Sequence, residues 1–329
     1  MNNHFAASDV KIITSNHSHY IDTGEEKIFT VAAIKDGKVI PECLYGGFDN
    51  RKNLYDYDSI KVSEIYDNTL KVEEAYLLHI LYWGNFFHFM TELLPSMYHY
   101  KKTLLDRGCK IIVPDRNRLI NECLEILSIP DDMVITLKPS CCYSVSKMHY
   151  SSTASIPGNS ALQIEAFTYF QEFFRDASCA EAPQKLYISR ADKINPEFNN
   201  SANGEGRILL NEKDVLNLLT DMGYEFHTVG TKTFKEKSEL LCGAETIVTS
   251  HGGNILNCCL AKNLKRLIVL TCEHALYCDR IFYNFITALV PNAEVIFVTG
   301  TQDENPEGKL VYSRLPFKIK IDDLTGALK

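Results

Sequence analysis

The sequence predicts an α/β protein built on parallel sheet. Two patterns carry this. Short β-branched runs alternate with amphipathic segments through most of the chain, and one run, Thr246-Ile-Val-Thr-Ser250, breaks at His251-Gly252-Gly253 straight into another amphipathic segment. Length adds a third observation. At 329 residues the chain is long enough for two domains, each with its own core. The division falls at the break Ala180-Glu-Ala-Pro183, giving an N-terminal domain over 1–180 and a C-terminal domain over 181–329.

Residues 10–75 are β-rich and irregular. Lys27 to Ile34 is a predicted strand, and Asp36-Gly37 a hairpin turn. Ala75 to Leu81 is a second strand. A long helix follows from Asn85, its cap, to about Asp106. Its apolar residues Phe86, Phe87, Met90, Leu93, Leu94 and Met97 recur at helical spacing, and Pro95 should kink it near its first turns. His88 and Glu92 lie at i and i+4 on one edge of that stripe, so they form either a surface ion pair or the floor of a cleft. Strands at 109–114 and 133–137 alternate with a helix at 118–127. A further strand is expected at 147–151 and a helix at 161–177.

The second half is more regular. A strand ends at Arg190, and Asn211 caps a helix that Gly223 closes. Tyr224 to Val229 is a strand, and Thr233-Phe-Lys-Glu236 is a capping box. Strands at 266–271 and 294–298 flank a helix over 274–290. Repeated βα units place ligands at the carboxyl ends of the strands. Arg190, Arg207, the turn His251 to Asn254, and Glu273 all fall at that edge.

This constellation asks for a diphosphate. Guanidinium groups pair phosphate oxygens bidentately, and a glycine turn before a helix presents backbone N–H groups at the positive end of its dipole. Gly252 and Gly253 both permit φ > 0 and close backbone approach. Glu273 is placed to accept hydrogen bonds from ribose hydroxyls. Neither a Walker A sequence nor G-x-G-x-x-G is present, which weakens ATPase and dinucleotide readings, and without a G-x-S-x-G elbow Ser250 beside His251 is a poor hydrolase signal.

Composition excludes other classes. A net charge of −8 with scattered Lys and Arg argues against a nucleic-acid partner. No apolar run approaches the roughly 20 residues needed to span a bilayer, and the start of the sequence lacks the pattern of a signal peptide. The expectation is a cytoplasmic protein, compatible with peripheral contact at the inner face of a membrane. The 11 cysteines contain no C-x-x-C pair and are expected to be reduced, and no metal site is expected from them. Asp56-Tyr57-Asp58 is a D-x-D that could hold a metal against a nucleotide, but its lead-in, Arg51-Lys-Asn-Leu-Tyr55, is not a hydrophobic strand.

The ordered set Asn85-Phe-Phe-His-Phe-Met-Thr-Glu-Leu-Leu-Pro95, Leu186-Tyr-Ile-Ser-Arg190, Arg207-Ile-Leu-Leu-Asn-Glu212 and Ala244-Glu-Thr-Ile-Val-Thr-Ser-His-Gly-Gly-Asn-Ile-Leu-Asn257 resembles glycosyltransferase family 61, from about Leu77 to about Leu270. One departure is visible: His251-Gly252-Gly253-Asn254 stands where the family usually has His-Gly-Ala-Gly. The resemblance implies a GT-B fold, two Rossmann-like domains facing each other across a cleft. It also implies inverting transfer without a required metal or cofactor, from a nucleotide-sugar donor, in the first instance a UDP-sugar. The acceptor would be a saccharide or lipid-linked saccharide of a bacterial capsule or lipopolysaccharide. The resemblance implies donor contacts from Arg190, Arg207 and the His251 turn; together with the strand-end reading, the expected donor-binding set is Arg190, Arg207, Ser250, His251, Gly252, Gly253, Asn254, Asn257 and Glu273.

Inverting transfer needs a base for the acceptor hydroxyl and positive charge for the leaving diphosphate. Glu92 and His88 are the candidate bases. A carboxylate fits direct displacement, and a histidine titrates nearer neutral pH; the balance falls to Glu92. Two other readings fit the sequence: a metal-dependent GT-A-like transferase using Asp56 and Asp58, and a non-catalytic nucleotide-sugar-binding protein.

Overall fold

The computed structural model describes residues 4–14, 20–22, 27–29, 31–36, 38–40, 43, 69–78, 86–114, 116–138, 141–151, 161–176, 179, 181–191, 208–272, 283, 285–302 and 316–329. Asp56, Asp58, Asn85, Arg207 and Glu273 lie outside them. The chain forms two compact units, Met1–Ala166 and Phe167–Lys329.

The first unit is built on a seven-stranded mixed sheet in the order β5-β4-β1-β9-β6-β7-β8. Its strands are β1 (His4–Thr14), β4 (Val31–Lys35), β5 (Lys38–Val39), β6 (Thr69–Leu77), β7 (Lys110–Val113), β8 (Val134–Thr136) and β9 (Cys142–Ser151). A separate pair, β2 (Tyr20–Asp22) and β3 (Lys27–Phe29), is antiparallel. The strand expected over Lys27 to Ile34 is therefore two strands in two different sheets. The Asp36 turn does close a hairpin, with Lys35 opposite Lys38 and Asp36 at φ 50°. The strands β6 to β9 run parallel, whereas β1 is antiparallel to both β4 and β9. Val10, Ile12, Ala75, Tyr143, Val145 and Met148 form a core on this sheet with essentially no exposure.

The long helix predicted after β6 is interrupted. Phe86–His88 is α-helical, Phe89–Leu93 is a π turn, and α1 (Leu94–Thr103) resumes the α form. The Leu94 N–H reaches back five residues to Phe89 O. Pro95 supplies the reason: it has no N–H to give, so a carbonyl of the preceding turn loses its donor. Thr91 O, four residues back, instead accepts from Gln163 Nε2 at 2.7 Å. Asn117 caps α2 (Arg118–Ile126) through Ile120 N. Gln163 lies on α3 (Ala161–Phe173).

The second unit carries a six-stranded sheet in the order β11-β10-β12-β13-β14-β15. The strands β10 (Lys185–Ser189), β11 (Glu225–Thr228), β12 (Thr246–Ser250), β13 (Arg266–Cys272) and β14 (Glu294–Gln302) are parallel, and β15 (Phe317–Lys318) is antiparallel. Helices α4 (Glu212–Asp221) and α6 (Ile321–Leu328) pack on it, and α5 (Phe234–Leu241) stands between β11 and β12 in the chain. Tyr187, Val248, Ile268 and Leu270 meet Val215, Leu219 and Leu324 in one core. Thr233 and Glu236 form the expected capping box at the start of α5. Asn211 departs from expectation. It precedes α4, but its side chain makes no cap bond there; it accepts from Ile319 N at 3.0 Å and donates to Ile319 O at 2.8 Å. The residue thus fastens the segment between β15 and α6 to the head of α4.

Two mixed sheets with surrounding helices make the protein α/β, as the sequence predicts. The cysteine expectation is corrected: Cys179 and Cys242 form a disulfide with Cα atoms 5.5 Å apart, joining residues 63 apart in sequence. The other described cysteines are thiols. Among the described residues no helix is long and apolar enough to cross a membrane.

Candidate functional site

In the second unit the chemistry gathers where β12 ends. Parallel pairing sets Ile188 of β10 beside Thr249 of β12 and Ser250 beside Leu270 of β13, so their carboxyl ends open on one edge. Thr249 Oγ1 donates to Ile188 O at 3.0 Å, and the His251 N–H binds Leu270 O at 2.8 Å, which extends the ladder one residue past the strand. The chain then turns at Gly252, with φ 138° and ψ −171°, a conformation for which a side chain is poorly suited. A Cβ here would lie 2.8 Å from Arg190 Nη1 and 3.3 Å from its Cζ. The dihedral favours glycine, and a side chain here would in addition have to push aside the guanidinium lying on it. Arg190 Nη1 also donates to His251 O at 2.7 Å, pinning the guanidinium to the turn.

Of the two glycines that permit a positive φ, Gly252 adopts one and Gly253 does not. The latter starts a 3₁₀ helix, Gly253–Leu260, where an α-helix was anticipated. Asn254, the departure from the family pattern, is buried, and its Nδ2 donates to Ser189 O at 3.4 Å. Its bulk is directed at the end of β10. Asn257 Nδ2 donates to Asn254 O at 2.9 Å, while its buried Oδ1 has no partner among the described residues. Ser250 and His251 are almost wholly buried. Burial also pushes the Cys259 thiol up to about 12, which leaves it protonated and a poor nucleophile.

Sequence reasoning missed Glu212. Its Oε1 accepts from Tyr187 OH at 2.7 Å and from Ser189 Oγ at 2.5 Å, and Ser189 Oγ accepts from Ala191 N at 2.9 Å. This clamp fixes the end of β10, and with it the residues flanking Arg190. Burial and the Glu212 charge hold the Tyr187 phenol protonated, far above its usual range. The one available signal was Glu212 inside the Arg207–Glu212 motif.

In the first unit His88 and Glu92 are a buried pair, which removes the surface reading. His88 Nδ1 and Glu92 Oε1 are 2.7 Å apart, with side-chain exposures of 9% and 6%. Glu92 sits in the π turn, a form that often marks functional positions. Glu92 Oε2 is buried with no partner among the described residues. A carboxylate only accepts, so neutral His88 carries its proton on Nδ1 and Nε2 is the basic nitrogen.

Thus Arg190, Ser250, His251, Gly252, Gly253, Asn254 and Asn257 share one corner of the second unit, and His88 and Glu92 share one buried turn of the first. Residues 86–268 match the family model for Glycosyltransferase 61, a match spanning more than half of the chain. The chain belongs to that family and is a glycosyltransferase. No curated protein gives a significant match.

Proposed function

We propose that this glycosyltransferase moves a sugar, with inversion, from a nucleotide-diphosphate donor to a saccharide or lipid-linked saccharide acceptor. The donor class is a UDP-sugar, the process is bacterial surface polysaccharide synthesis, and no divalent metal is required for transfer. The observation that carries the donor reading is the Arg190 guanidinium lying on Gly252 at the carboxyl edge of a parallel sheet. Developing charge on a departing diphosphate is stabilised by fixed donors that need no reorganisation when the bond breaks.

For the acceptor we assign His88 as the base and Glu92 as its positioning residue, reversing the preference drawn from the sequence. The Glu92 carboxylate holds the Nδ1 proton and directs Nε2 at the acceptor hydroxyl, the arrangement that carboxylate–histidine pairs use in other transferases and hydrolases. The acceptor proton passes to Nε2 as its oxygen attacks the anomeric carbon, and the nucleoside diphosphate leaves with the bonding pair.

Arg190→Ala weakens UDP binding by about 1.5–3 kcal/mol, the range for hydrogen bonds to charged groups. Calorimetry returning wild-type UDP affinity for that variant defeats the donor assignment. Transfer assayed in EDTA addresses the metal. His88→Gln lowers kcat with donor KM unchanged, and Glu92→Gln lowers it less. The opposite order returns the base to Glu92, and no turnover on any acceptor panel favours the non-catalytic binding protein.

A further inference from the structure

We infer that Glu74, Cys109 and His149 bind a single borderline-soft divalent cation, Zn²⁺ by its ligand chemistry, which ties three strands of the first unit together. Glu74 lies on β6, His149 on β9, and Cys109 immediately before β7. One carboxylate oxygen, one thiol sulfur and one ring nitrogen all fall within 4.8 Å of one another. His149 Nε2 and Glu74 Oε1 are already 2.7 Å apart. Tetrahedral zinc with bonds of roughly 2.0–2.3 Å sets its ligands about 3.3–3.5 Å apart. From 2.7 Å the nitrogen and oxygen must separate by about 0.6 Å while the sulfur closes in. His149 and Cys109 are buried, and Glu74 is partly exposed, which provides an entry path. Nitrogen, sulfur and oxygen in one site select Zn²⁺ over Mg²⁺ or Ca²⁺, which take oxygen alone.

The surroundings fit a second layer of a metal site. His149 Nδ1 lies 3.0 Å from His4 Nε2, and His4 Nδ1 lies 3.2 Å from His99 Nε2. Without an ion, Glu74 accepts from His149 Nε2–H, so every N–H in the chain of rings is on Nε2 and points toward Glu74. With an ion on His149 Nε2, that nitrogen has no proton, Nδ1–H donates to His4, and the whole chain reverses. Each ring stays neutral, and the only proton released is that of the Cys109 thiol, which passes to solvent. The opposing feature is also plain. Lys147 Nζ at 2.9 Å and Arg107 Nη2 at 3.1 Å both pair with Glu74 Oε1, and they must yield that oxygen to the ion.

That competition supplies the test. The full-length protein, stripped with chelator and dialysed, is titrated with Zn²⁺ alone. One ion per chain is expected, with a rise in melting temperature. Cys109→Ser and His149→Gln should weaken binding at least tenfold. Arg107→Ala, which removes a competitor for Glu74, should tighten it severalfold. The ¹⁵N spectrum should show His149 exchanging its protonated nitrogen on binding, and the Co²⁺ form should show a thiolate charge-transfer band. Zn²⁺ affinity untouched by Cys109→Ser, weakened by Arg107→Ala, or unaccompanied by the tautomer change overturns the inference. In that event Glu74 is only the hub of an ion-pair network. Should Cys109→Ser fail to fold, the Arg107 variant and the cobalt spectrum decide. Transfer activity measured well below the melting temperature keeps this result separate from the proposed reaction.

Discussion

Replacing Gly252 by alanine tests the turn at the end of β12 more directly than any other change. The added Cβ meets Arg190 Nη1 at 2.8 Å, closer than carbon and nitrogen pack, and φ 138° is strained for any residue with a side chain. Backbone strain of this kind costs about 1–3 kcal/mol. Pushed aside by the Cβ, the guanidinium is also expected to leave His251 O and give up a charge-assisted hydrogen bond worth about 1.5–3 kcal/mol. If both arise from one contact, they are coupled. Arg190→Ala alone loses the hydrogen bond but also removes the obstacle, so Gly252→Ala in that background retains only the dihedral strain. The double variant should therefore be less destabilised than the sum of the singles by about 1.5–3 kcal/mol. Hydrogen exchange at the His251 amide, bound to Leu270 O at 2.8 Å, reports opening of this corner without requiring the whole chain to unfold in one step. Single-variant effects that add to within about 0.5 kcal/mol would show that arginine and glycine do not depend on each other. UDP affinity should fall in Gly252→Ala together with the exchange protection.

Three further outcomes are expected. Gln163→Leu leaves the buried Thr91 carbonyl without its Nε2 donor and should cost about 1–3 kcal/mol; Pro95→Ala restores a backbone N–H and should recover part of that loss in a thermal melt. Asn211→Ala removes both bonds to Ile319, so trypsin should cut the segment after β15 faster than in the wild type, with β10–β14 protection unchanged. Thr233→Ala breaks the capping box of α5 and should lower stability by about 1 kcal/mol, whereas Thr233→Ser, which keeps the oxygen, should cost far less in the same denaturant titration.

Local chemistry made part of this fold readable from the sequence. A capping box is complete within four residues, and Thr233 and Glu236 form it as expected. Gly252 and Arg190 are 62 positions apart, yet both terminate parallel strands. The rule that such strands end on one edge brings them together from the sequence alone. Asn211 shows where a local rule fails. Its identity suits a helix cap, but the backbone of Ile319, more than 100 residues away, offers it a donor and an acceptor together, and tertiary partners win. The β15 strand is two residues long and has no periodicity to detect.

The Glu74, Cys109 and His149 group was illegible for a deeper reason. Its members have no shared motif and stand on or beside three strands whose order, β9-β6-β7, does not follow the chain. His4, at the start of β1, reaches His149 only because β1 pairs antiparallel with β9, setting Ala6 against His149 and His4 against Ser151. Metal spacing rules read ligands a few residues apart along one turn or knuckle. They are silent when the sheet itself sets the spacing. The same sheet order explains why the group contains both an acid and its competing cations. Lys147 is the direct cross-strand partner of Glu74, so any divalent ion entering here displaces a cation that the register had already placed. Occupancy is thereby a contest between one double charge and two single ones for the same oxygen, and the Arg107 and Lys147 side chains, about half exposed, are free to be displaced into solvent.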